Sequence, residues 1–296
     1  MEKKPTVGGQ AVIEGVMMRG EKLAATAVRA PDGKIIIDKK EVVSLRDKYP
    51  IFKLPFIRGA VSLFESLVLG MKALSFSAQT AGEEDETLSD KEIAVTMIVA
   101  FILAAALFIA IPTGATHLFK EFTNDAFLLN LLEGIFRMII FLLYIIAITQ
   151  MKDIKRVFSY HGAEHKTIFC FEHKKPLTVE NAKLEPRLHP RCGTAFLLIV
   201  MLIATVVFAF TGWPDLVERV ISRILLLPVI AGISYEILKF SANSENPIIK
   251  LATLPGLWLQ YLTTKEPDDD MLEVAIESLK AVLPESEIPE GSGSYL

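Results

Sequence analysis

Cysteine and histidine are both scarce here, at two and five residues in a chain of 296. With only Cys170 and Cys192 present, the disulfide framework that holds small secreted domains together is excluded. A basic start followed by an apolar stretch and a cleavage site is missing too, so the N-terminus reads as mature protein and not as a secretion signal. A large excess of charge of one sign is also lacking. The formal net charge of −4 says nothing about nucleic acid, no such partner is expected, and the basic residues read better as determinants of membrane topology. No internal repeat or pair of broken helices is visible, which tells against a transporter.

What the chain has instead is apolar sequence. Hydrophobic residues make up 51% of it, and the mean hydropathy is +0.41. Both are too high for an ordinary soluble domain of this size, so the lipid bilayer is the first partner implied. Residues 93–111 are almost unbroken apolar sequence, close to the roughly 20 residues that an α-helix needs to cross hydrocarbon. A second run over 127–149 carries Glu133 and Arg137, four apart and able to pair on one helix face. Stretches over 195–210 and 220–240 complete a set of four spans, the third followed by Trp213 at interfacial level. The connection between the second and third spans is rich in Lys and Arg, as is the N-terminal region, whereas the other connections hold little beyond Lys120 and Arg219. Positive loops stay in the cytoplasm, so this connection and both termini are expected there.

The expected fold class is therefore a mainly α-helical integral membrane protein with four transmembrane helices, a small N-terminal cytoplasmic β-rich unit and interfacial amphipathic helices. In chain order it reads as a β-rich unit over 1–58, then an interfacial helix and acidic linker over 59–92. A four-helix membrane domain over 93–253 follows, with a cytoplasmic polar segment at 150–194. Interfacial and C-terminal amphipathic helices occupy 254–284, and a disordered tail 285–296. Within the β-rich unit, Pro31-Asp32-Gly33 separates two β-branched runs with hairpin chemistry. The stretch from Gly8 to Gly20 reads as a glycine-punctuated strand with turns, or as one that aims Glu14 and Arg19 at a site. The second span is expected to run on as helix past Phe158 towards Cys170, since no proline interrupts it.

The chemistry concentrates where histidine does. His161 and His165 stand four apart with Glu164 between them, so on a helix both imidazoles lie on one face. The order His-x-x-Glu-His is the inverted zincin pattern, in which the histidines hold zinc and the glutamate takes a proton from water. At the other end of the polar segment, His189-Pro-Arg-Cys192 adds two more residue types that bind borderline metals. Glu236, near the cytoplasmic end of the fourth span, needs a cation: Lys239, Lys166, Arg191, or a metal held by the histidine pair. The candidate metal ligands are thus His161, His165, His189, Cys192 and Glu236. The alternative is a hydrogen-bonded histidine pair in a polar network, with Cys192 a small buried hydrophobe.

Several stretches in order, Gly8 to Arg19, Pro55 to Gly59, Tyr160 to Lys166, His189 to Thr194, Ser234 to Glu236 and Leu259 to Pro267, resemble the YqhQ family of bacterial membrane proteins. The likeness runs over about 6–283. It implies an integral inner-membrane protein of a family whose domain, of unknown function, carries the label of a predicted metal-dependent enzyme. His161, Glu164, His165, His189 and Cys192 occupy its motif positions.

Two functions follow as expectations. The first is a zinc-dependent hydrolase at the cytoplasmic membrane face. In it His161 and His165 hold the metal, Glu164 is the general base, and Lys166 or Arg191 stabilises developing negative charge. The second is a non-catalytic accessory protein that acts through contacts with other membrane proteins, its cluster a closed structural metal site or polar network. Three ligands with an open position separate the first from the second.

Overall fold

A computed structural model of the chain describes residues 7–82, 90–242 and 246–296. Four strands, β1 (Gly8–Val12), β2 (Gly15–Arg19), β3 (Leu23–Arg29) and β4 (Ile35–Glu41), form an antiparallel meander in that order. Gly33 closes the expected β3–β4 hairpin with φ of 88°, a conformation that suits glycine. The helices follow: α1 (Leu45–Lys48), α2 (Ile57–Ala81), α3 (Asp90–Ala105), α4 (Ile111–His117), α5 (Ala126–Ile148), α6 (Lys152–Glu172), α7 (Val179–Lys183), α8 (Gly193–Ala209), α9 (Leu216–Ala242), α10 (Pro247–Thr263) and α11 (Asp269–Val282). The acidic stretch expected as a linker lies outside the described residues.

The strands carry apolar residues on both faces because both faces are covered. Val16, Met18, Ala25 and Ala27 share one core with α6, α7 and α11. Val12, Met17 and Val28 pack on the other side against Ala73 and Leu69 of α2. The small side chains of β3 let α11 come close, and the buried Ser278 hydroxyl lies 2.9 Å from the Val16 carbonyl and 3.0 Å from that of Ala25. On α11 itself Leu272, Ile276 and Leu279 are wholly buried, each worth about 1.5–3 kcal/mol of apolar transfer. The C-terminal amphipathic helix is thus the centre of the polar half and not a surface element. Beyond it the segment expected to be disordered is docked: Leu177 N–H donates to Ser292 Oγ at 2.9 Å and Gly293 N–H to the Leu177 carbonyl at 3.0 Å.

Among the described residues four helices are long and apolar enough to cross a membrane, over 57–81, 91–121, 126–148 and 217–241. The number matches expectation but one member differs. The expected third span is α8, apolar but only 17 residues long, at the short end of what a crossing needs. In its place by length stands α2. Yet α2 begins against α9, where Gly232 has no room for a Cβ beside the Phe56 carbonyl, and its second half lies on the sheet. Ser77 Oγ there accepts from the Ile13 N–H at 3.3 Å.

The run 91–121 passes through a π-helical turn, Ala106–Ala110, just before Pro112. In α-helical register the Phe108 carbonyl would accept from residue 112, which as proline has no N–H; Arg137 Nε donates to it instead at 3.0 Å. The expected Glu133–Arg137 pair forms at 2.8 Å.

The second span does not continue into the polar segment. α5 ends where Thr149 turns its hydroxyl back onto the Ile146 carbonyl at 2.6 Å, and Met151 is extended before α6 begins. Breaking there lets α6 turn and pack between β1 and α11. Its closest approach to the segment after α10 is at Gly162, where an added Cβ would fall 2.0 Å from the Lys265 backbone carbonyl oxygen. Lys265 N–H in turn donates to the Phe158 carbonyl at 2.8 Å.

Gly162→Ala is therefore expected to cost about 1–3 kcal/mol by overpacking against backbone. Thermal unfolding of the detergent-solubilised chain checks it beside Gly114→Ala, which meets nothing within 4 Å and is expected to be neutral or stabilising.

Candidate metal centre

α6 places His161 and His165 one turn apart, ring centroids 4.4 Å from one another. Each ring is oriented by a backbone carbonyl from a different segment. His161 Nδ1 is 2.8 Å from the Thr263 oxygen at the end of α10, and His165 Nδ1 is 2.6 Å from the Arg187 oxygen in the loop before α8. A carbonyl only accepts, so both Nδ1 atoms carry the proton and both Nε2 atoms keep a lone pair. His161 Nε2 then lies 3.2 Å from Cys192 Sγ, while His165 Nε2 is buried without a hydrogen-bond partner among the described residues. One donor atom each from His161, His165 and Cys192 falls within 4.8 Å of the other two. A tetrahedral zinc ion holds nitrogen and sulfur donors about 3.3–3.6 Å apart, so shifts of about an ångström would close the group.

Cys192 is the N-cap of α8, its sulfur accepting from the Thr194 N–H at 3.5 Å. Negative charge is well placed at that end of a helix. His165 is buried, which pushes its imidazole below the ordinary value and favours the neutral ligand form. Burial pushes the Glu164 carboxyl up, opposed by His161, His189 and the Gly9 amide. Gly9 has space for nothing larger: a Cβ would sit 3.0 Å from Glu164 Cδ and 2.8 Å from the Met17 carbonyl oxygen. That explains the use of glycine in the strand over the histidine pair.

The other expected site residues take different places. His189 stands beside His165, centroids 5.6 Å apart, but its Nδ1 accepts from the Arg191 N–H at 3.2 Å and its Nε2 faces Glu172 at 3.7 Å. Arg191 pairs with the same Glu172. Lys166 donates to the carbonyls of Lys183 and Glu185 at 3.0 and 2.8 Å and pairs with Glu266, so it fastens a loop. Glu236 is far from the expected ligand role: Arg58 grips it through Nε at 2.6 Å and through Nη2, and the Phe56 N–H points at it. An arginine from α2 thus supplies the cation that an acid on an apolar helix needs. Glu14 and Arg19 are likewise engaged elsewhere, with Arg156 and Glu65 respectively.

The residues that orient the cluster carried little signal of their own. Gln260 exchanges two hydrogen bonds with the His189 backbone, at 2.8 and 2.9 Å, and Arg187 reaches the Thr264 carbonyl and, at 3.1 Å, its hydroxyl. The stretch from Leu259 to Pro267 pointed here only through the family resemblance. Its backbone contribution, the Thr263 carbonyl, leaves no trace in residue type.

A family profile described as "Protein of unknown function (DUF1385)" matches residues 54–285. The chain is 39% identical over 298 aligned positions to "Uncharacterized protein YqhQ" of Bacillus subtilis (strain 168), covering 94% of this chain and 92% of the relative. No solved structure matches.

The loop that presents the Arg187 carbonyl is tied down by Glu185, buried beside Lys175 at 2.7 Å and His173 at 2.9 Å. Desolvation pushes its carboxyl up, but the hydrogen bonds from Lys175 and His173 outweigh it and the net shift is downward from 4.5. A carboxylate lowered on folding contributes stability that is complete above its unfolded pKa and is lost as pH falls through the folded one. Melting temperature followed from about pH 6 to about pH 3.5 should show an acid-side decline that Glu185→Gln makes shallower.

Proposed function

We propose that this chain, which belongs to the DUF1385 family of proteins of unknown function, is a multi-pass membrane protein that binds one zinc ion through His161, His165 and Cys192. The observation that carries this is the pair of carbonyl-locked imidazoles, which turns His161 Nε2 onto the Cys192 sulfur and leaves His165 Nε2 without a hydrogen-bond partner among the described residues. The donor set fits: two neutral imidazoles and a thiolate are ligands of borderline softness, and the second shell of backbone carbonyls is the kind that fixes metal-bound histidines. His165 Nε2, buried with no partner, is a lone pair in want of one. The excess of Lys and Arg on the sheet side supports a cytoplasmic location for this end and for both termini, in a bacterial cytoplasmic membrane.

Three donors, with the Glu164 carboxyl next to His165 in sequence and interacting electrostatically with His161, favour a hydrolase over a closed structural site. A zinc ion bound there would supply Lewis acidity to a carbonyl or phosphoryl substrate. Glu164, steadied by the Gly9 amide, would take the proton from the attacking water, and ionising it would be easier with a cation close by. Lys166 and Arg191 are better read as positioning residues, because each already holds an acid. The accessory-protein reading rests on a different observation. The three donors come from α6 and α8 and their orienting carbonyls from two further segments, so the same ion would clamp the polar half to the apolar helices.

Metal analysis of the detergent-purified chain is expected to find close to one zinc per chain, and almost none in the His161→Ala, His165→Ala double variant. Cobalt exchanged into the wild type should give a sulfur-to-metal charge-transfer band that Cys192→Ser abolishes. Equal, negligible metal in both proteins, with both folded, would remove the proposal. A steep fall in melting temperature on chelation identifies the clamp, and a small one the open site.

A further inference from the structure

The apolar helices carry a second polar cluster at the end away from the sheet. Glu133 on α5 is 1% exposed and is the acid that every cation there must share. Its Oε1 receives Arg137 Nη2 at 2.8 Å and the Thr113 hydroxyl at 3.1 Å, and Arg223 on α9 grips both oxygens, with Nη2 to Oε2 at 2.8 Å. Four donors thus converge on this one carboxylate, three of them on Oε1. One turn earlier on α9 stands Arg219, 6% exposed, with its guanidinium 4.0 Å from the Trp213 ring centroid. It forms no ion pair among the described residues, and its Nε and Nη1 are both buried without an acceptor. Arg223 Nε is buried without one as well.

Charge does not balance. Arg137, Arg219 and Arg223 face one carboxylate, and Lys120 adds a further positive charge on the same indole, 6.0 Å from its centroid. The nearby acids do not reach in: Asp215 caps the first turn of α9 through Val217 and Glu218 N–H at 2.8 and 3.1 Å, Asp125 caps α5 through Leu128, and Glu121 and Glu218 are exposed. An arginine removed from water with its donors unmet is unfavourable in an apolar surround unless an anion meets it. Stacking on Trp213 leaves the guanidinium edge free for that anion. Asn130 spends its Nδ2 on the Ala126 and Gly212 carbonyls at 2.9 and 2.7 Å, and its Oδ1 is buried and unpartnered among the described residues.

We infer that Arg219, flanked by Trp213 and Arg223, binds a phosphate oxyanion at headgroup level on the face opposite the sheet. The guanidinium matches phosphate geometry, and the tryptophan sets the depth at which lipid phosphates lie. A phospholipid headgroup and a free phosphate share this chemistry, and the test tells them apart.

The full chain in a phosphate-free maltoside detergent is melted with and without added phosphatidylglycerol, and separately with inorganic phosphate, for wild type, Arg219→Gln and the exposed control Lys34→Gln. Phosphatidylglycerol should raise the wild-type and Lys34→Gln melting temperatures by several degrees and leave Arg219→Gln unmoved. An Arg219-dependent shift with inorganic phosphate instead supports the same site filled by the free ion. Equal responses in all three proteins, or none in any, overturn the inference. Should Arg219→Gln fail to fold, native mass spectrometry of the wild type decides, through a retained anionic phospholipid or phosphate adduct, and Arg219→Lys should weaken that adduct about tenfold by losing the planar fork. A wild type free of either adduct and insensitive to both additives also overturns it.

Discussion

Two imidazole N–H groups, each donated to a backbone carbonyl, hold the two halves of this molecule in register. His161 ties α6 to the end of α10 through the Thr263 oxygen, and His165 ties it to the loop before α8 through the Arg187 oxygen. These bonds fix the tautomers and thereby decide which nitrogens are left for other chemistry. They also explain why so much of the neighbourhood serves the backbone. Gln260 holds His189, Lys166 holds the 183–185 turn, and Arg187 holds Thr264, each so that a carbonyl or a ring stays where the histidines require it.

The same rule, that a buried polar group must find a partner, shapes the apolar helices. Pro112 leaves the Phe108 carbonyl without its usual helical donor, and an arginine from the next helix supplies one. Glu236 would be isolated on α9, and Arg58 from α2 meets it where Phe56 and Gly232 bring the two helices together. Glu133 collects Arg137 and Arg223. Three times, then, arginine on one helix satisfies a polar group on another, which fixes the rotation of each helix about its axis as non-directional apolar packing cannot. Arg219 is the exception, and its unmet donors are what single it out.

Much of this was legible in residue order. Hydropathy marked the long apolar helices, Pro31-Asp32-Gly33 marked a hairpin, and a four-residue spacing put two imidazoles on one face, because each depends on contacts within a few residues. Cys192 could be nominated but not chosen over His189 or Glu236, since all three are reachable from the same side and only packing turns the Cys192 sulfur to the rings while engaging His189 and Glu236 elsewhere. The tail and α11 were misread for a related reason. An amphipathic helix followed by Gly-Ser-Gly-Ser looks like surface plus loose end, and it takes the two-sided burial of the sheet to show that α11 lies at the centre of a core.

Local physics therefore determined the class of this protein: apolar length makes helices that could cross a membrane, turn chemistry makes the meander, and the helical repeat pairs His161 with His165. Tertiary structure alone decided which distant groups complete each local feature, the Thr263 and Arg187 carbonyls, the Cys192 sulfur, and Arg58 for Glu236. The reason is that a carbonyl has no side-chain identity to read, and a charge in a low-dielectric surround accepts any partner of the right sign that the fold can deliver. Sequence states the need, and only the packing of separate segments states what answers it.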